Sequence, residues 1–361
     1  MRSRIDDLIT RVFPGSTVLA ARHFGVDEDD LGDATEKGIG YGKPIRITLR
    51  DASGKVRDVV LHTATGDQFG HDRRADRAAE LLGAFDTFAD IPRHVTPVDV
   101  GFVDADDHLR SFADCGEPYL LTGYAPGTIY AHDLRELSHG RALSERDRRR
   151  AELLADYLAE LHVRDTDSEP SVYTRAIRDL VGHGEGIFGL IDGFPADVPS
   201  APPARLQAIE QRCVAWRWKL RGREARLSRT HGDFHPFNIL FDDDDRLSLL
   251  DAARGTRGDP ADDVVCIALN YVFFAAGHDG AWTDKLGALW TRFWDRYLDR
   301  TGDDELLASA PPYVAWRGLV MANPTWYPHV TADSRDRLLT LIEETLEQDR
   351  FDPALAETIF R

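Results

Sequence analysis

Four polar side chains capable of chemistry stand close together in THGDFHPFNILF (230–241): His231, Asp233, His235 and Asn238. The apolar run Ile239–Leu240–Phe241 and the acidic stretch Asp242–Asp245 follow. Asp233 lies two residues after His231 and Asn238 five after Asp233, and a hairpin written NILF, DDDD, RLSLLD returns Asp251 to the same end. A carboxylate, an amide and a second carboxylate in this order suit phosphoryl transfer. An acceptor hydroxyl needs one carboxylate to orient it and take its proton, and a divalent cation on a polyphosphate needs hard oxygen ligands. Asp233 is the candidate base, and Asn238 and Asp251 are the candidate Mg²⁺ ligands. A zinc hydrolase is the third reading, since His231, Asp233 and His235 alternate and on a strand would share a face. No further His cluster marks a second ligand set for it. Asp242–Asp245 read as a solvated hairpin tip.

The elements that must position these residues divide the chain in two. Residues 3–25 have the pattern of one or two amphipathic helices, followed by the acidic linker VDEDDLGDATE. GIGYGKPIRITLRDASGKVRDVVLHTA alternates with period two around Ala52–Ser53–Gly54 and predicts three strands. HDRRADRAAELLGAF has helical spacing at Ala75, Ala78, Ala79, Leu82 and Phe85, and TPVDVGFVDADD and EPYLLTGY read as two more strands. After Tyr124–Ala125–Pro126–Gly127 the pattern turns helical. SERDRRRAELLADYLAELH opens with a capping box at Ser144, helices follow near 172–192 and 202–222, and others run from Asp262 to the end. Asp259–Pro260 marks a helix start, as an N-cap followed by proline. Most of Trp282, Trp290, Trp294, Tyr297, Trp316, Trp326 and Tyr327 are expected in the core.

With LAELH at 158–162, HGDFHPFNILF at 231–241, LLDAARG at 249–255 and GDPADDV at 258–264, the chain resembles the aminoglycoside phosphotransferase/choline kinase-like family over roughly residues 35–275. The resemblance implies an α+β, two-lobed protein-kinase-like fold. A small N-terminal β-sheet lobe with one crossing helix would precede a larger, mainly helical C-terminal lobe. The expected division is a helical extension over 1–36, a nucleotide-binding lobe over 37–122 and a C-lobe with catalytic loop and acceptor site over 123–361. It further implies an ATP- and Mg²⁺-dependent phosphotransferase acting on a hydroxyl of a small molecule. Asp233 resembles the family's base, and Asn238 and Asp251 its metal ligands. His231 and His235 shape the loop, and Asp263 braces it from the next helix. The nucleotide is expected at the connection near Leu121–Gly127, including Gly123, and under the glycines Gly38, Gly40 and Gly42 of GIGYG, a stretch that equally suits a plain hairpin turn.

The pattern departs from the family in two places. His62 stands where a phosphate-anchoring lysine is expected, leaving His62 or Lys43 as the cation and Asp76 or Glu80 as its acidic partner. Ala252 and Ala253 replace bulkier residues beside Asp251. The first departure motivates a rival reading, a nucleotide-binding module or pseudokinase without useful turnover.

Composition sets the outer bounds. The 361 residues are 42% apolar and 9% aromatic, suited to a globular protein with a substantial core. Lys+Arg 44 against Asp+Glu 62 gives a net charge of −18, which argues against nucleic-acid or anionic-membrane partners because both need a basic face. Lys37, Lys43, Lys55, Lys219 and Lys285 are the only lysines. The widely spaced Cys115, Cys213 and Cys266, with no CxxC, suggest reduced thiols in a cytoplasmic protein, and MRSRIDDLIT has no apolar signal segment.

Overall fold

The computed structural model describes residues 2–23, 44–106, 108–278 and 280–361. It divides into two compact units, Met1–Thr122 and Gly123–Arg361. The expected glycine turn, with Gly38, Gly40, Gly42 and Lys43, lies outside the described residues.

The first unit runs α1 (Arg2–Val12), β1 (Thr17–His23), β2 (Ile45–Arg50), β3 (Val56–Leu61), α2 (Arg74–Thr87), β4 (Gly101–Val103) and β5 (Leu109–Ser111). β1, β2 and β3 form an antiparallel sheet in that order. Alternation along β2 sends Ile45, Ile47 and Leu49 inward, where they meet Val18 and the i, i+4 pair Ile5 and Ile9 of α1. Asp51 closes the β2–β3 turn by accepting from the Ser53 and Lys55 amides, and Gly54 supplies the positive φ of 85°.

Two expectations are corrected here. TVLAARH is a strand, not a continuation of the first helix, because its backbone pairs with β2. EPYLLTGY forms no strand: Tyr119, Leu120, Leu121 and Tyr124 are 87–91% exposed, and no strand among the described residues lies alongside to pair with its amides. The hairpin that does form pairs β4 with β5, and α2 folds where its spacing puts it with none of its residues fully buried.

The second unit begins with β6 (Thr128–Ile129), α3 (Tyr130–Ser138), α4 (Glu145–Leu161), α5 (Ser171–Gly182), α6 (Ile187–Asp192) and α7 (Pro203–Leu220). The short strands β7 (Ser228–Arg229), β8 (Ile239–Phe241), β9 (Leu247–Leu249) and β10 (Arg257–Gly258) frame the polar loop. α8 (Ala261–Ala275), α9 (Gly287–Thr301), α10 (Glu305–Ser309), α11 (Pro311–Ala322), α12 (Ala332–Glu347) and α13 (Ala354–Phe360) complete it. The α4 capping box forms as its sequence predicts. Ser144 Oγ accepts from the Asp147 amide, and the Asp147 carboxylate accepts from the Ser144 amide at 2.8 Å.

Every residue of α8 except Phe273 is buried, which is why its sequence is apolar on all sides apart from Asp262, Asp263 and Asn270. Trp282, Trp290, Trp294, Tyr297 and Trp316 are core residues, whereas Trp326 is 59% exposed. Among the described residues no helix is long and apolar enough to cross a membrane.

Candidate active site

The polar loop leaves β7 at Thr230 and enters β8 at Ile239. Its entry turn depends on Gly232, whose φ is +84° and whose missing Cβ would lie 2.6 Å from the Ala253 carbonyl oxygen. Gly232→Ala is therefore expected to cost roughly 1–3 kcal/mol and to disturb the loop, seen as a lower melting temperature of the purified variant. Across the turn, Ala253 N–H donates to His231 O at 2.8 Å and Thr230 N–H to Thr256 O at 3.2 Å, strapping residues 251–256 against 230–232. That strap carries left-handed backbone at Asp251, Arg254 and Thr256 (φ 52°, 52° and 57°).

Asp263 braces the loop from α8. Its Oδ2 accepts from the His231 amide at 2.7 Å and its Oδ1 from the Gly232 amide at 2.8 Å. His162, at the end of LAELH, contacts the same Oδ2 at 3.1 Å through Nε2 and the Tyr297 hydroxyl at 2.7 Å through Nδ1. Burial pushes the Asp263 carboxyl up, but His162 and the two amides outweigh it and the net direction is down. Asp259 caps the start of α8 by accepting from the Ala261 amide at 3.0 Å, just ahead of Pro260, and is itself held by Arg226 and the Tyr173 hydroxyl.

Asp233 has both oxygens engaged. Oδ1 accepts from Arg317 Nη1 at 2.8 Å, while Oδ2 lies 3.3 Å from Asn238 Nδ2 and 3.4 Å from His235 Nε2. Burial opposes ionisation, yet His235 and Arg317 hold this carboxyl well below the usual carboxylate range. Asn238 Nδ2 also donates to Asp233 O at 3.1 Å, which leaves its Oδ1 uncommitted among the described residues. β8 pairs with β9, and Leu250 N–H donates to Asn238 O at 2.9 Å, so Asp251 emerges one residue beyond this bond with an exposed carboxylate. Two hard oxygens at adjacent strand ends are a donor set that fits Mg²⁺.

The two loop histidines serve the backbone. His231 Nδ1 accepts from the Asp233 amide and His235 Nδ1 from the Phe237 amide, both at 3.2 Å. His231 Nε2 is thereby the protonated nitrogen, buried without a partner among the described residues, and its ring meets Phe234 edge-on. Among the described residues the ligand atoms of His231, Asp233 and His235 do not converge on one point. The group that does converge is Asp104, Asp106 and His108 on the β4–β5 turn, where Asp104 accepts the Asp106 and His108 amides.

The acidic tip is less solvated than its composition implies. Asp243 and Asp244 are exposed, whereas Asp245 is gripped by Arg146 and Arg150 of α4.

In the first unit, His62 lies exposed just past β3. Asp76 caps α2, its carboxylate accepting the Arg73 amide at 2.7 Å, and Glu80 lies 3.2 Å from His71 Nε2. Leu121 and Gly123 are exposed in the irregular stretch 112–127.

Arg317 is the participant that motif reading passes over. It is 7% exposed and reaches Asp233, Gly232 O (3.0 Å) and Asp262 Oδ1 (2.9 Å). A signal for it exists: it is the sole charge in the α11 sequence PPYVAWRGLVMA, and a charge in an apolar helix demands a partner.

The model of the phosphotransferase enzyme family matches residues 54–300, and the chain belongs to that family. Among solved structures it is similar to a glucosamine kinase, at 21% identity over 61% of this chain and 59% of that one with a TM-score of 0.41. It is also similar to an aminoglycoside-3'-phosphotransferase of type VIII (18% identity, 89% and 98% covered, TM-score 0.34) and to a Plasmodium vivax ethanolamine kinase (14%, 92% and 83%, 0.32). The chain spans 59–60% of the length of two of the glucosamine kinase structures it matches and 92% of a third. No curated protein matches it.

Proposed function

We propose that this chain transfers the γ-phosphoryl group of ATP, with Mg²⁺, to a hydroxyl of a small molecule. The observation that carries the reading is the setting of Asp233: a carboxylate fixed by Arg317, Asn238 and His235, in the same loop and hairpin that present Asn238 Oδ1 and Asp251, both uncommitted among the described residues. The acceptor oxygen forms a bond to the γ-phosphorus as the bond from that phosphorus to the β-bridging oxygen breaks, and ADP leaves. The acceptor proton passes to Asp233 and then to solvent. Because Asp233 is a weak base here, it orients the hydroxyl early and takes the proton late, as a loose phosphoryl transition state allows. Asn238 Oδ1 and Asp251 would hold Mg²⁺, which when bound neutralises polyphosphate charge.

The test is ADP release from Mg-ATP by purified protein against a panel of amino sugars, aminoglycosides and amino alcohols. Acceptor-dependent release that EDTA abolishes is expected. Tight nucleotide binding with no acceptor-dependent release would favour the nucleotide-binding module that His62 suggests. For the metal, Asp251→Ala is expected to remove the Mg²⁺ enhancement of nucleotide affinity, measured by calorimetry with and without EDTA. An unchanged enhancement would take Asp251 out of that role.

A further inference from the structure

The family match ends at residue 300, yet the cation on the candidate base comes from residue 317. Arg317 spreads a planar fork over two acceptors of the loop, Asp233 Oδ1 and Gly232 O, and over Asp262 Oδ1 behind them. One nitrogen of the guanidinium meets Asp233 Oδ1 while the other is held by Gly232 O and Asp262 Oδ1, so the planar group that faces the base is anchored at a second point, as a single ammonium could not be. Its own position is set in turn. The guanidinium lies over the Trp316 ring at 4.0 Å, and the Trp316 indole N–H donates to Glu185 O at 2.7 Å. Arg254, from the strap that also carries Asp251, lies over the same ring at 4.5 Å and beside Asp262 Oδ2 at 3.6 Å. Trp316 and Asp262 thus join the two halves of the site.

We propose that Arg317 is the positioning residue that holds Oδ1 of Asp233 in place in the loop, which makes α11 a working part of the active site. The proposal rests on the phosphotransfer reading for its kinetic consequence but not for the pairing itself. In a reaction where the protein contributes chiefly positioning, a misplaced carboxylate lowers turnover more than it lowers binding.

The decisive experiment combines kinetics with a stability cycle. With whichever panel compound serves as acceptor, Arg317→Met is expected to lose about 100-fold in kcat while KM for Mg-ATP stays within a few-fold. Arg317→Lys, which keeps the charge without the fork, should fall between. Guanidinium ion added to Arg317→Ala should restore part of the lost turnover, and sodium at equal ionic strength should not, a response a purely structural role would not give. The second arm needs no acceptor. Thermal melts of wild type, Asp233→Asn, Arg317→Met and the double variant should show Arg317→Met costing fewer degrees in the Asp233→Asn background, since one of the carboxylates it would strand is gone. Additive melting losses, or wild-type turnover in Arg317→Met, would overturn the proposal. Coupled losses without any acceptor-dependent turnover would uphold the pairing while sinking the phosphotransfer reading.

Discussion

Asp233→Asn is expected to lower acceptor-dependent turnover by about 100-fold or more, with the Mg-ATP dissociation constant near wild type. Asparagine keeps the shape and can still accept a hydrogen bond from Arg317 through its oxygen, but it cannot take the acceptor proton. Arg317 retains Asp262 Oδ1 and Gly232 O as partners in the variant, so its charge is not stranded and the protein should stay folded. Steady-state ADP release and a nucleotide titration on the same preparation check this. A variant keeping most of its turnover would remove Asp233 from the role of base.

The second large effect is on stability, at Asp263. Its carboxylate is fully buried and satisfies two loop amides and His162. Asp263→Ala leaves those donors without an acceptor, and breaking a buried charged pair costs about 3–5 kcal/mol. Chemical denaturation at pH 7 should show that loss, together with loss of turnover, because the Gly232–Asp233 turn loses its brace. The pH dependence has a definite sign. The folded Asp263 pKa is depressed, so the unfolded chain binds more protons as pH falls. Its contribution is present above the unfolded carboxyl value of about 3.9 and lost as pH drops through the lower folded value. Asp233 is depressed in the same direction and adds to the acid sensitivity of the wild type, not to its gap from Asp263→Ala. The gap between wild type and Asp263→Ala should therefore narrow below about pH 4; a gap that stays constant with pH would mean the carboxylate is not held ionised.

The acidic residues at 303–305 show how composition can mislead about a site. As sequence, Asp303, Asp304 and Glu305 could attract a cation, although a chain of net charge −18 offers such clusters throughout. In the fold Asp303 is held by Arg226 at 2.8 Å, while Asp304 and Glu305 lie exposed beside Arg350 and Arg223, so the cluster is interleaved with the chain's own arginines.

What the sequence by itself determined is local. The α4 capping box needs only Ser144 and Asp147 three residues apart, and the β8–β9 hairpin needs only two apolar runs around an acidic turn. The loop from His231 to Asn238 likewise has its polar groups at spacings that let a few backbone bonds gather them. Interactions across three to twelve residues are legible because chain connectivity already confines them. The tertiary structure decided everything that depends on a surface arriving from elsewhere. TVLAARH became a strand because β2 lies alongside it, whereas EPYLLTGY, with a similar pattern, has no strand partner among the described residues. Asp76, open in the sequence to a role beside a phosphate anchor, was taken by its own helix terminus. Arg317 shows the limit from the other side. Its isolation in an apolar helix announces that some anion must meet it, but Asp233 lies 84 residues away, and only the packing of α11 beside α8 and the loop selects which one.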